Sequence, residues 1–177
     1  MPHFLYIHSI LLKFHTYYLT MLNNEIKKYI TKSVLCWLAT SNEHNIPNVS
    51  PKEMFTYYDD ATLLIANIAS PNSINNILIN QNVCVAFIDV FVQKGYKLIG
   101  KAKIHYKGTA LFEVYKVPII HLFGDQFPIS AIIEIQISDI YNIKAPSYVL
   151  YPEITEATQI ENAMKIYNVK PIKENTH

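Results

Sequence analysis

Hydrophobic and polar residues follow one another near the start of the chain in a pattern that predicts a hairpin. Residues 34–40 form an apolar run rich in strand-favouring side chains, and turn-forming residues fill 41–45. A second strand opens at Pro47 and is expected to continue to Tyr58, and a third covers 62–68. The pattern therefore predicts three consecutive strands that pair as an antiparallel meander.

Polar residues that favour helix caps mark the predicted helix starts. Asn23 or Asn24 caps a short helix before the hairpin, and Thr155 opens a C-terminal helix. Ser70 followed by Pro71 predicts another helix, because serine is a favoured cap and proline a favoured first residue. The first N–H groups of that helix lack partners and its dipole favours negative charge, so this turn is a candidate phosphate site. An ordinary capped helix that binds nothing is the competing interpretation.

The second half of the chain predicts a strand pair, a helix and a long final strand. The predicted elements are strands at 83–92, 96–107 and 129–140, with a turn at 93–95 between the first two, and a helix at 108–123. Gly100 indicates a bulge or a close backbone approach within its strand. Pro118 is expected to interrupt the apolar face of the helix.

Composition indicates one domain with a large core. The chain has 177 residues, of which 50% are hydrophobic and 16% charged, and its net charge is +1. This balance excludes disorder for the bulk of the chain, and the near-neutral charge predicts no nucleic-acid partner. Cys36 and Cys84 lie in apolar runs, as reduced thiols of a cytoplasmic protein do, and the spacing of cysteines and histidines predicts no metal site.

Residues 1–20 do not fit the pattern of the rest of the chain. They are apolar and aromatic, yet Lys13 and three histidines interrupt them. Neither a spanning helix nor a secretory signal fits cleanly, so we interpret them as an extension outside the core and expect no stable membrane insertion. A membrane-surface anchor is the alternative.

Four stretches, in this order and spacing, resemble the FMN-binding split β-barrel proteins related to pyridoxamine 5'-phosphate oxidase. They are Leu-Ala-Thr-Ser at 38–41, Pro-Asn-Val-Ser-Pro-Lys at 47–52, the segment 65–87 around the Ser70 helix start, and Gly-Tyr-Lys-Leu-Ile-Gly-Lys-Ala at 95–102. The resemblance implies a mainly β protein with helices: a six-stranded antiparallel split barrel at 21–150. Beyond the matched stretches, the apolar stripe of the C-terminal helix predicts that residues 151–177, a helix and tail, pack on the same domain.

In that family FMN lies in a groove at a homodimer interface, which the resemblance carries onto this chain. Ser50 and Lys52 would hold the phosphate from a strand, and Ser70, Ser73 and Asn76 from the helix start. The flavin ring would run along 65–67. The implied cofactor-binding residues are Ser50, Lys52, Ile65, Ala66, Asn67, Ser70, Ser73, Asn76, Tyr96 and Lys97, the last two from the partner chain.

Two departures from the family bear on function. Many relatives carry basic residues where this chain has Asn72 and Ser73, and the true pyridoxine phosphate oxidases use C-terminal arginines, whereas all 15 basic residues here are lysines. We therefore expect an FMN-dependent oxidoreductase with an unknown small-molecule substrate and electron donor, not vitamin B6 oxidation. The alternatives are a flavin carrier, a haem or small-ligand protein that uses His105 or His121, or a barrel whose site has decayed.

Overall fold

The computed structural model describes residues 21–171. Its helices are α1 (Asn24–Lys32), α2 (Pro71–Ile79), α3 (Ala110–Phe123), α4 (Ser147–Leu150) and α5 (Glu156–Tyr167). Its strands are β1 (Cys36–Ser41), β2 (Pro47–Lys52), β3 (Phe55–Tyr57), β4 (Thr62–Asn67), β5 (Asn82–Asp89), β6 (Lys94–Tyr106) and β7 (Ala131–Lys144). The predicted extension at 1–20 and the end of the predicted tail lie outside the described residues.

The seven strands form one antiparallel sheet in the order β2-β1-β5-β6-β7-β4-β3. β2 and β3 lie at opposite edges of the sheet, yet only Glu53 and Met54 separate them in the chain. Because two residues span only about 7 Å, the sheet must curl until its edges meet. The result is a mainly β, split-barrel architecture with flanking helices, as the sequence predicts.

The predicted count of six strands and the predicted meander are wrong at this point. The strand expected from Pro47 to Tyr58 bends at Glu53 and Met54 and divides into β2, which pairs with β1, and β3, which pairs with β4. Met54 still makes one backbone hydrogen bond to β4, since its carbonyl accepts the N–H of Ala66 at 2.9 Å. The bend transfers the chain from one edge of the sheet to the other.

The main core fills the inside of the curled sheet, where α1 and α2 pack against it. Ile26 and Ile30 of α1 and Ile77 of α2 join inward-facing residues of the strands, such as Leu38 and Leu98. The predicted caps begin both helices: the Asn23 side chain accepts the N–H of Ile26 at 2.9 Å, and Ser70 precedes α2 with Pro71 as its first residue. The cap residues thus fix where each helix enters the core.

A second core cluster lies on the outer side of the sheet, beneath α3. Phe112 and Ile119 of that helix pack on Leu64 of β4 and Ile132 of β7. The helix continues to Phe123 as predicted, but Pro118 does not interrupt its apolar face, since Ile119 and Phe123 beyond the proline pack in the same cluster as Phe112. The carbonyl that Pro118 leaves without its helical partner belongs to Val114, an exposed residue, where water can replace the lost bond.

β6 and β7 are the longest strands, and a bulge divides their ladder. The register shifts between Ile99 and Gly100, as the sequence predicts. A Cβ at Gly100 would lie 2.4 Å from the carbonyl oxygen of Gln136, so the close backbone approach requires glycine. The preceding turn comes earlier than predicted, because the Asp89 carboxylate accepts the N–H of Phe91 at 3.0 Å and turns the chain there.

Candidate functional site

The edge strand β2 lies beside the start of α2, and its inward-facing residues point at that helix end. Asn48 and Ser50 are half-buried and Lys52 is buried, whereas the residues between them are exposed. Strand alternation explains the pattern, because every second side chain of a strand lies on one face. The structure thus brings Ser50 and Lys52 next to Ser70, three of the residues that the resemblance assigns to a phosphate.

Lys52 is the centre of this cluster. Its side chain is only 5% exposed, and its amine donates a hydrogen bond to the Ser70 hydroxyl. Within residues 21–171 no carboxylate forms an ion pair with it. Burial lowers the pKa of the Lys52 amine below its ordinary value, and the neighbouring Cys36 thiol opposes this shift only in part. A buried cation without a counter-ion is costly, and a bound anion would offset that cost.

Ser70 contributes to the cluster more than it does to its own helix. The residue occupies the cap position of α2, yet its side chain makes no capping hydrogen bond. Its oxygen instead lies 3.5 Å from the Ser50 hydroxyl and accepts from Lys52. The first N–H groups of α2 therefore have no side-chain acceptor from their cap, which suits them to an anion.

A buried polar network supports the helix start from behind. The amide of Asn76 donates to the Thr40 hydroxyl at 3.0 Å, and the amide of Asn48 donates to the same oxygen at 3.3 Å. Asn48 also lies 3.5 Å from the Ser73 hydroxyl. Thr40 and Asn48 are absent from the predicted site. The Ala-Thr pair that ends the first strand is the sequence feature that could have pointed to Thr40. Asn76, predicted to face the ligand, has its amide turned towards Thr40.

Two adjoining cavities open at the cluster. The first cavity, about 210 Å³, lies between 48–51 of β2 and 69–73 at the helix start. The lysine cavity, about 190 Å³, lies between Lys52, Ala66 and Phe127. Both are lined by Pro51 and Ser70, so the two cavities adjoin along β2.

The strand predicted to hold a flavin ring reaches the lysine cavity at one residue. Ala66 lines the lysine cavity, whereas Ile65 is fully buried in the main core. Asn67 donates its side-chain amide to the Ser130 hydroxyl at 3.2 Å, and its side-chain oxygen has no partner within residues 21–171. Of the three predicted ring contacts, the structure brings Ala66 to the lysine cavity.

Tyr96 and Lys97 lie away from both cavities within one chain. Tyr96 is buried in the main core, where its ring packs 5.6 Å from that of Tyr29 and 6.2 Å from that of Phe87. Lys97 projects from the opposite face of the sheet, with its amine 4.5 Å from the centre of the Tyr141 ring. Their contribution to a partner's site stays a prediction.

The other candidate chemistry is dispersed. No group of three or more metal-binding side chains occurs in the part of the chain that the structure describes. His105 bonds the Glu134 carboxylate at 2.7 Å, and His121 lies in the last turn of α3. Over residues 21–171 no helix combines the length and apolarity needed to cross a bilayer.

Comparison with known proteins adds a family and a set of structural neighbours. The sequence profile of the family described as Pyridoxamine 5'-phosphate oxidase matches residues 22–144. No functionally curated sequence matches the chain. Among solved structures, HupZ of Group A Streptococcus is 26% identical, with a TM-score of 0.62 over 71% of this chain and 96% of HupZ.

Two further neighbours share the fold at lower identity. An FMN-binding protein from Syntrophomonas wolfei is 11% identical, with a TM-score of 0.57 over 80% of this chain and 97% of its own. HutZ, a haem storage protein from Vibrio cholerae, is 20% identical, with a TM-score of 0.55 over 68% of this chain and 93% of its own. The same fold therefore occurs in proteins named for two different ligands.

Proposed function

Because the chain belongs to the pyridoxamine 5'-phosphate oxidase family, we propose that it binds FMN and acts as an FMN-dependent oxidoreductase on a small molecule. The observation that carries this proposal is the buried Lys52 amine, which no carboxylate neutralises within residues 21–171 and which adjoins uncharged donors. A phosphate dianion suits a site of one cation and several neutral donors.

Ser50, Ser70 and the first amides of α2 would share the phosphate with Lys52. The lysine cavity, with Ala66 on its wall, would receive the part of the cofactor next to the phosphate. Bound FMN supplies the redox chemistry itself, so the protein's task is to hold and orient it. The absence of arginine from the sequence argues against pyridoxine phosphate as the substrate, since bidentate recognition of a second phosphate is unavailable.

We further propose that two copies of the chain complete the site. Each of the two cavities is smaller than the roughly 300–1,000 Å³ of typical ligand pockets. The outer face of β2, β1, β5 and β6 carries Trp37, 46% exposed, and Val49, 57% exposed. On neighbouring strands Trp37 pairs with Ala86 and Ala86 pairs with Lys97, so the three residues lie side by side across this face. An apolar face of this kind favours association, and Lys97 would then lie at the interface.

Release of the bound chromophore tests the proposal. We expect the purified protein to carry, or to take up, FMN in a ratio near one per chain. Denaturation followed by chromatography identifies the released molecule, and oxidation of a nicotinamide cofactor in the presence of an acceptor reports turnover. A haem spectrum, or a colourless protein that does not take up added FMN, would contradict the proposal.

A further inference from the structure

A third cavity adjoins the lysine cavity, and none of the site residues described so far lines it. It measures about 410 Å³ and lies between the end of α1, strand β3 and the end of α3. We call it the helix-end cavity. Its apolar walls are Ile30, Phe55, Leu122 and Phe123. Its volume falls in the range of small-molecule pockets.

The helix-end cavity also has a few polar groups on its walls. Ser33 and Thr56 line it, and both are buried. The Ser33 hydroxyl has no hydrogen-bond partner within residues 21–171. The Thr56 hydroxyl reaches only the neighbouring Tyr57 carbonyl, at 3.4 Å. A mostly apolar wall with a few hydroxyls is the usual composition of a site for a neutral organic ligand.

The helix-end cavity and the lysine cavity differ in the charged residues that line them. Glu53 lines both cavities and has no ion-pair partner among the described residues, whereas Lys32 on the far wall pairs with Asp89 at 2.9 Å. Lys52 lines the lysine cavity alone, whereas the one lysine of the helix-end cavity is already paired, so an anion is held more favourably in the lysine cavity. The helix-end cavity is therefore the less favourable of the two for phosphates and carboxylates.

We propose that the helix-end cavity is the substrate pocket and that it takes an uncharged, largely apolar ring compound. This assignment rests on the proposed function, because it places the substrate beside the strand expected to hold the flavin: Phe55 on the wall pairs with Ile65 of β4. Because Glu53 lines both the lysine cavity and the helix-end cavity, a ligand in one cavity would lie close to a ligand in the other.

A matched pair of probes tests the charge selectivity. 2-Naphthamide and 2-naphthoate have nearly the same shape and differ in charge. We expect 2-naphthamide to bind at least about tenfold more tightly in equilibrium dialysis, and Glu53→Gln to reduce that difference. Equal binding of the two probes, or tighter binding of 2-naphthoate, would overturn the proposal.

Substitutions on α3 locate the binding. Leu122→Trp places bulk at the mouth of the cavity and is expected to weaken 2-naphthamide at least fivefold. Val117→Trp changes an exposed residue of the same helix that does not line the cavity, and should leave binding unchanged. Val34→Trp adds bulk from the opposite wall of the cavity. It serves as a second filling variant in case the tryptophan at position 122 turns towards solvent. Unchanged binding in both filling variants would refute the location.

The FMN-loaded protein links the pocket to the cofactor. We expect 2-naphthamide to change the visible absorbance of bound FMN, and Leu122→Trp to suppress that change. Binding without any change in the flavin spectrum would overturn the assignment as a substrate pocket. A protein that binds 2-naphthamide but not FMN would instead contradict the proposed function, so the two failures are distinguishable.

Discussion

Replacing Lys52 with methionine should weaken cofactor binding while leaving the fold as stable as before, or more so. Methionine keeps most of the length of the side chain and removes the charge. Because the Lys52 amine is buried and lacks a carboxylate partner within residues 21–171, its loss removes a desolvation cost from the folded state. We expect the free energy of unfolding of the ligand-free protein to rise by about 1 kcal/mol or to stay unchanged.

FMN affinity should change in the opposite direction. A hydrogen bond to a charged group contributes about 1.5–3 kcal/mol, which corresponds to a loss of roughly ten- to a hundredfold in affinity. Fluorescence titration of the apoprotein with FMN measures the affinity, and urea unfolding without FMN measures the stability. Lys107→Met is the matched control, since Lys107 is an exposed lysine in the turn after β6 and should alter neither quantity.

The two readouts together decide between the possible roles of Lys52. If Lys52→Met destabilises the ligand-free fold by several kcal/mol, the lysine is a structural residue and the loss of FMN binding follows from unfolding. If neither stability nor affinity changes, the amine does not contact the phosphate. In either case the reasoning from a buried cation to an anion site would be refuted.

Three further predictions follow from the same cluster and its surroundings. Burial lowers the pKa of Lys52 in the ligand-free site and a bound dianion raises it again, so FMN affinity should be full below the ligand-free pKa and fall as pH rises through it. Titrations from neutral to alkaline pH check this, and Lys52→Met should remove the dependence. Thr40→Val leaves the amides of Asn48 and Asn76 without an acceptor, so FMN affinity should fall several-fold and the free energy of unfolding by about 1–3 kcal/mol. Thr40→Ser should restore both quantities. Equal behaviour of the two variants would contradict the role of the Thr40 hydroxyl as a shared acceptor. Val49→Glu puts a charge on the exposed apolar face and should shift a dimer towards monomer in sedimentation and weaken FMN binding; an unchanged mass would exclude this face as the interface.

The sequence predicted much of the local structure, because local structure depends on neighbouring residues. Asn23 and Thr155 mark helix starts correctly, since each side chain accepts a capping N–H, and Ser70 marks one by its place before Pro71 although its hydroxyl makes no capping bond. Gly100 marked the bulge, where the Gln136 carbonyl leaves no room for a Cβ. Such signals are short-range and can be recognised one residue at a time.

The features that the sequence did not predict depend on contacts between distant segments. The bend at Glu53 and Met54 carries no glycine or proline of its own, so the run read as one strand. Thr40 looks like any strand residue, and only the packing of α2 against β1 turns its hydroxyl into the shared acceptor of two amides. That no carboxylate of residues 21–171 pairs with Lys52 likewise depends on which distant side chains the fold brings near it, which no local pattern records.

The bend at 53–54 links the architecture to the proposed chemistry. It carries the chain from the β2 edge to the β3 edge, so it closes the sheet, and it ends the strand immediately after Lys52. The residue before the bend is a buried cation, and the residue within it, Glu53, is an exposed anion that lines the next cavity. Because the backbone turns between these two adjacent residues, Lys52 lines the lysine cavity alone and Glu53 lies at the boundary that this cavity shares with the helix-end cavity. A straight strand would have placed them on opposite faces of one sheet, with no shared boundary between a cofactor site and a pocket for a neutral compound.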